Sequence, residues 1–283
     1  MASAGAERVR STVRSRAQSA IKRAAGASDR LRTWSPGVVV LAYHRVGGRS
    51  KALEIDLPTA RFEQQSELIA RWCDPVSIDA ALVALRSPGP TPRGRVVVTF
   101  DDGTADFVDV ALPVLARYGI PATLYVATDF VEHAREFPDG GKPVSWAALR
   151  DAVSTGLVTL GSHTHTHALL DRVDVATATD ELRRSIDLLQ ERTGVGAEHF
   201  AYPKALPGKP AVEQQIRTMF RSAAVAGTRA NRYGRTDPWR LARSPVQRAD
   251  GMHFFEQKLN GGLRLEDDVR RLVNRVRYLG AST

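Results

Sequence analysis

Cysteine is almost missing from this chain: Cys73 is the single example in 283 residues. An intrachain disulfide is excluded, and so is a metal site built on thiolates. No stretch approaches the roughly 18 consecutive apolar residues of a membrane-spanning helix. The N-terminus is basic but lacks the apolar core of about 7 to 15 residues that a secretory signal requires. These absences set the expectation of a cytoplasmic protein. Internal repeats and low-complexity tracts are also lacking. Acidic residues are in deficit, 31 against 40 Lys and Arg, for a net charge of +9. Such a balance raises the question of nucleic acid or an anionic surface as partner.

The placement of the charge answers much of that question. Residues 1–34 hold eight basic side chains and two acidic ones, a net +6, which leaves only +3 for the rest of the chain. In this arm Val9, Val13, Ala17, Ala20, Ile21 and Ala24 recur at three- and four-residue spacing, predicting an amphipathic helix. Its Val/Ala face is too thin for strong membrane insertion. The first expectation is a helix lying on the protein or on a partner protein, and the second is peripheral contact at the inner face of the membrane. No nucleic-acid partner is expected. Ser35-Pro36-Gly37 punctuates the end of the arm, so residues 1–36 are read as an arm and 37–283 as one domain. An apolar fraction of 43% with 25% charged residues suits a globular enzyme with a large core.

From Gly37 onward the pattern alternates. Apolar, β-branched runs predict strands at 38–43, 95–100, 122–126 and 158–160, with shorter ones at 199–202, 222–226 and 240–246. Helical spacing predicts helices near 59–72, 77–86, 105–118, 145–155, 174–193, 211–220 and 265–278. Alternation of this kind argues for a parallel α/β sheet, open or closed into a barrel. Active sites in such folds lie at the C-terminal strand ends.

Polar residues gather at those ends. Tyr43-His44-Arg45 follows the first strand, Asp101-Asp102-Gly103 the second, and Gly161-Ser162-His163-Thr164-His165-Thr166-His167 the fourth. Tyr202-Pro203-Lys204 follows the strand near 199. Two carboxylates directly after an apolar run are costly to bury unless something offsets their charge. A metal ion with a general base would do so, and helix capping is the plainer alternative. Three histidines within five residues point to metal binding. In an extended segment His163, His165 and His167 would share a face, whereas a turn would bring His163 and His167 together and send His165 elsewhere. Two imidazoles and one carboxylate are a common ligand set for a catalytic metal with open positions.

These residues carry a resemblance. Thr99-Phe100-Asp101-Asp102-Gly103 matches the TFDDG motif of the polysaccharide deacetylases with the NodB homology domain, carbohydrate esterase family 4, and His163-Thr164-x-x-His167 matches their H[ST]xxH motif. Phe200-Ala201-Tyr202-Pro203 is similar to the FAYP variant of the third motif. Tyr43-His44-Arg45-Val46 and Leu241-Ala242-Arg243 are similar to the branch acting in exopolysaccharide synthesis. The resemblance covers roughly residues 37–250 and implies a NodB-type distorted (β/α) barrel of about seven strands.

Carried over position by position, it implies that Asp101 is the general base. Asp102, His163 and His167 would hold a divalent ion, zinc first, with cobalt, nickel or iron as alternatives. The substrate implied is an N-acetylated amino-sugar in a glycan, glycolipid or sugar precursor, and the reaction is hydrolysis of its acetamide. Tyr202, Pro203 and Lys204 would form the substrate and oxyanion loop, with the Lys204 backbone N–H as donor. The chain departs from the family in three places. Ala201 stands where many members carry an arginine that holds the base, Lys204-Ala205 replaces Tyr-Gly, and the late LxxH motif that supplies a general acid has no match. His253 lies in the wrong context for it. His44 is therefore the candidate to protonate the leaving amine, with a structural hydrogen bond as its alternative. Arg243 is the candidate to orient Asp101, with an ordinary salt bridge as its alternative. His165 occupies a variable position and is expected to face solvent. Two other functions compete: a cyclic imide or ureide amidohydrolase of the same fold, and a catalytically lapsed carbohydrate-binding protein.

Overall fold

A computed structural model describes residues 37–48, 53–87 and 93–263. The basic arm and the helix expected at 265–278 lie outside the described residues. In chain order the elements are β1 (Gly37–Tyr43), β2 (Arg45–Val46), β3 (Asp56–Leu57), α1 (Thr59–Trp72), β4 (Cys73–Pro75), α2 (Ile78–Arg86) and β5 (Gly94–Phe100). A π turn (Phe107–Ala111) runs into α3 (Leu112–Tyr118), followed by β6 (Ala122–Val126), α4 (Thr128–Glu132), α5 (Trp146–Ser154) and β7 (Val158–Ser162). The remainder comprises α6 (Val175–Thr193), β8 (His199–Ala201), α7 (Pro210–Met219), β9 (Ser222–Ala226), β10 (Asn231–Arg232), β11 (Leu241–Pro245) and α8 (Gly251–Leu259).

Seven parallel strands close on themselves in the order β1, β5, β6, β7, β8, β9, β11 and back to β1. This is the distorted seven-stranded barrel that the resemblance implied. β1 pairs on both edges, and all seven of its residues are buried, as befits a parallel strand covered on both faces. β4 adds to β5, and β10 lies antiparallel on β1. The seam between β7 and β8 is thin, with one register pair, Ser162 with Phe200.

Alternation along the strands divides the core. Val39, Leu41, Tyr43, Val96, Val98 and Phe100 point outward and pack with Phe62 and Ile69 of α1 and with Phe107. Val38, Val40, Val97, Ala224 and Leu241 point inward, where they meet Ile78, Ala81, Leu82 and Leu85 of α2. α2 therefore plugs the N-terminal end of the barrel, and Ser77 caps it by accepting from the Ala80 N–H at 3.2 Å. Higher in the barrel, the inward positions become polar.

The long helices and main strands lie within a few residues of their expected bounds. The helix expected from 105 starts instead as a π turn, in which the Leu112 N–H donates to the Phe107 carbonyl. Pro113, next in line, has no N–H to give, which favours such a local widening. α4, α8 and β4 were not expected from the sequence. Among the described residues no helix is long and apolar enough to cross a membrane.

Candidate active site

At the end of β5 the Asp101 N–H donates to the Tyr43 carbonyl at 3.0 Å, so the sheet register continues to this residue. The chain then turns. Asp102 has φ 74° and Gly103 φ 93°, a left-handed pair in which the second position favours glycine. A Cβ on Gly103 would also lie 3.2 Å from Val126 Cγ1. Neither aspartate caps a helix; their side chains face Arg243, His44, His163 and His167 instead. The capping alternative is therefore not the arrangement adopted.

At the end of β7 the His163 N–H donates to the Val126 carbonyl at 3.0 Å. The loop turns at Thr164 (φ 65°) and again at His167 (φ 64°), which brings the rings of His163 and His167 to a centroid separation of 4.9 Å. The turned arrangement thus holds, not the extended one. His165 departs from its expected place in solvent. It is 4% exposed, its Nδ1 lies 2.9 Å from Thr128 Oγ1, and α4 packs over it. A five-residue helix of that kind leaves no periodic trace in a sequence, and so the burial was not foreseeable from spacing.

β5 and β7 are not neighbours; β6 lies between them. The chain leaving β6 ties their loops together. Ala127 N–H donates to the Asp102 carbonyl at 2.9 Å, Thr128 N–H to Thr164 at 3.4 Å, and Asp129 N–H to His165 at 2.9 Å. From the other side Glu181 of α6 accepts from the backbone N–H groups of His165 (3.0 Å) and Thr166 (2.8 Å) and from the Thr166 hydroxyl (2.8 Å). Of the seven non-glycine residues with positive φ among those described, Asp102, Thr164, His167, Lys204 and Ala205 belong to these strand-end loops. Strain of this kind collects where the surroundings dictate the backbone.

The side chains so placed fit a metal ion. Asp102 Oδ1 lies 3.7 Å from His163 Nε2 and 3.5 Å from His167 Nε2. Ligand atoms about 2.1 Å from a common tetrahedral centre stand about 3.4 Å apart. His163 Nδ1 is 2.8 Å from the Ala201 carbonyl. A carbonyl only accepts, so Nδ1 carries the proton and Nε2 keeps its lone pair for an ion. Burial lowers the pKa of both imidazoles, that of His167 to about 4, which holds them neutral and ready to ligate. A second grouping, Asp79, Glu198 and His199, sits at the plugged end of the barrel. There the Arg221 guanidinium lies 2.8 Å from Asp79 and 2.7 Å from Glu198 and serves as their cation.

Comparison with known proteins agrees with this geometry. Residues 88–221 match the family model described as polysaccharide deacetylase. Those residues, a little under half of the chain, are similar to the polysaccharide deacetylase family. Curated relatives include poly-beta-1,6-N-acetyl-D-glucosamine N-deacetylases. That of Escherichia coli K12 is 28% identical over 139 residues, 45% of this chain and 20% of that protein. That of Staphylococcus aureus MSSA476 is 28% identical over 158 residues, 51% of this chain and 53% of that protein. The matches thus span between a fifth and about half the length of these relatives. Among solved structures, IcaB from Ammonifex degensii superposes with a TM-score of 0.67 at 26% identity, over 80% of this chain and 98% of that one. The deacetylase PplD of Streptococcus pyogenes, in complex with acetate, gives 0.69 over 80% and 99%; at 20% identity this bears on the fold.

Beside the candidate ligands Asp101 is 4% exposed and Arg243 3% exposed. Arg243 arrives on β11 and grips both carboxylate oxygens, Nη1 to Oδ1 at 2.5 Å and Nη2 to Oδ2 at 2.9 Å. Burial would push the Asp101 carboxyl up, but the charge of the Arg243 guanidinium and its hydrogen bonds are the main causes that outweigh it and hold the group well below the usual carboxylate range. His44 Nε2 lies 3.8 Å from Asp101 Oδ2, at the mouth of the site and partly exposed. Tyr202 turns its ring away, into the apolar cluster with Phe200 (centroids 4.9 Å apart), so only its backbone is placed to serve the oxyanion loop. Pro203 is buried and Lys204 sits at φ 52° in a tight turn, with its charge felt at His167. His253 is exposed on α8 beside Gln257, which gives it no part in the cluster. Glu181, Thr128 and the Ala201 carbonyl were missed in the sequence, because each acts through the fold and none lies within a motif.

Proposed function

We propose that this chain hydrolyses the acetamide of N-acetylglucosamine units in a glycan, as a zinc-dependent N-deacetylase. The observation that carries the reading is one carboxylate and two neutral imidazoles converging within a shared ligand sphere, with a second, arginine-held carboxylate on the adjacent residue. The names of the curated relatives favour a polymer over the nucleotide-linked or lipid-linked precursors that would suit a cytoplasmic enzyme.

Asp102 Oδ1, His163 Nε2 and His167 Nε2 would hold the ion. Bound there, it supplies an acidified water and a Lewis acid for the acetyl oxygen. Asp101, kept ionised by Arg243, takes the proton released as water adds to the carbonyl carbon. The Lys204 backbone N–H would donate to the developing oxyanion. His44, when protonated, gives its proton to the nitrogen as the C–N bond breaks, and acetate and a free amine leave. Asp101 would then hand its proton to His44, restoring both groups.

Acetate release measured with zinc-loaded protein on β-1,6-linked N-acetylglucosamine oligomers tests the proposal. Asp102→Asn should abolish both zinc retention and turnover. A protein that binds zinc stoichiometrically yet frees no acetate from oligomeric, lipid-linked or nucleotide-linked substrates would refute it.

A further inference from the structure

Arg243 is buried with more to satisfy than Asp101 provides. Nη1 and Nη2 hold the carboxylate, and Nη1 also reaches Thr99 Oγ1 at 3.2 Å. Its Nε has no hydrogen-bond acceptor among the described residues. A buried guanidinium in that state needs another source of stabilisation. The guanidinium carbon lies 5.1 Å from the ring centroid of Tyr125, on β6.

Tyr125 is an unusual core residue. It is fully buried, yet it joins none of the three apolar clusters and pairs with no other ring among the described residues. Its hydroxyl finds no hydrogen-bond partner there either. Directly across the sheet its register partner is Gly161. A Cβ at position 161 would fall 2.5 and 2.7 Å from two Tyr125 ring carbons and 2.8 Å from the His199 carbonyl. The glycine before the histidine loop thus makes room for the ring, and the ring lies in the barrel interior against Arg243.

We infer that Tyr125 is a positioning residue: the π face of its ring holds Arg243, and through Arg243 fixes both oxygens of Asp101. Gly161 belongs to the same device. A cation over an aromatic face in a desolvated site is held electrostatically, which suits a group that must stay put during proton transfer. The inference rests on the reading of Asp101 as the base. It adds that the hydroxyl of Tyr125 is dispensable and the electron density of its ring is not.

The test is a series at position 125 in the full chain. Tyr125→Phe should keep kcat within about twofold, because only an unpartnered hydroxyl is lost. Tyr125→Met fills much of the volume without a π face and should lower kcat about 10- to 30-fold, with KM and zinc content little changed. Should the methionine variant fail to fold, fluorination of the Phe variant's ring at three positions keeps its shape and drains its π density. kcat should then fall with fluorination, a response that a space-filling role would not produce. Crystal structures of the variants supply a readout independent of turnover, with the two-pronged Arg243–Asp101 contact kept with Phe and loosened with Met. An intact contact in the methionine variant, or a kcat indifferent to fluorination, would overturn the inference. If the unmodified chain frees no acetate at all, the proposed activity fails, while the structures still judge the Tyr125–Arg243 link.

Discussion

A carboxylate gripped at both oxygens has its lone pairs aimed by its partner, so the partner's shape is as important as its charge. Arg243 meets Asp101 with a planar fork. Lysine keeps the positive charge but offers a single point. Arg243→Lys should therefore leave zinc content unchanged and lower kcat about 100-fold, the scale of a misplaced base. Parallel metal analysis and kinetics decide it, and equal kcat values would show that orientation is not what Arg243 contributes. At this scale the sequence was readable where chemistry is local. Asp101 and Asp102 adjoin, and His163 and His167 are four apart, so spacing marked them as candidates and the resemblance assigned their roles. Arg243 stands 142 residues from Asp101, and only the closure of β1 onto β11 brings them together. No spacing rule reaches that far; its place was suggested by resemblance. His165 shows the opposite failure. It sits inside the richest motif and yet turns away, because Thr128 and Glu181 claim its ring and its backbone.

Elements explain how two loops on non-adjacent strands come to face one ion. β6 separates β5 from β7, and the first N–H groups beyond it bind carbonyls on both sides. α6 fixes the histidine loop through one side chain, Glu181, which is 8% exposed and accepts three hydrogen bonds from His165 and Thr166. Glu181→Ala strands the buried His165 N–H, frees both donors of Thr166 and lets the segment between His163 and His167 relax. Zinc affinity should fall about 10- to 100-fold, as when outer partners of metal ligands are removed. Competition with a chelator measures it, and undiminished affinity would mean that the loop is held by the β6 contacts alone. The contribution of α6 was half legible: its length and its Leu182, Ile186 and Leu189 stripe stand out, but a lone Glu on its buried side reads as an ordinary helix residue. α4 was not legible at all, since five residues cannot display a helical period.

Over the whole molecule, alternating strands and helices predicted a parallel sheet, and periodicity could not say whether it closed. Closure depends on β1 pairing on both edges, with β5 on one and β11 on the other. A closed barrel also buries histidines at both of its ends. His163, His165 and His167 line the active end, and His199, at 0% exposure, touches Ser222 and faces Asp79 near the plug. Burial is the first cause lowering the pKa of all four, only partly opposed by nearby carboxylates. Unfolded imidazoles take up protons near pH 6.5, whereas the folded ones resist until lower pH, His167 to about 4. Below about pH 6.5 the unfolded chain therefore binds more protons, and stability must fall as pH falls. Their stabilising effect is complete above that value and is lost on acidification towards the folded pKa values. Each such histidine can contribute a slope of up to about 1.4 kcal/mol per pH unit. Asp101, whose pKa is lowered, adds its own loss only in the lower range where unfolded carboxylates titrate, below about pH 4. Asp106, pushed up by burial, works in the opposite sense: its folded carboxyl takes up a proton before the unfolded one, which slightly offsets the loss as pH drops. Metal-free protein melted at intervals from pH 7.5 to 5 should show a midpoint that is level above pH 6.5 and declines steadily below it. His199→Gln removes one contributor far from the metal ligands and should shallow that decline without moving zinc affinity. A midpoint that stays flat down to pH 5 would mean that the four imidazoles titrate in the folded state much as they do in the unfolded chain, and that the barrel shields them far less than their burial implies.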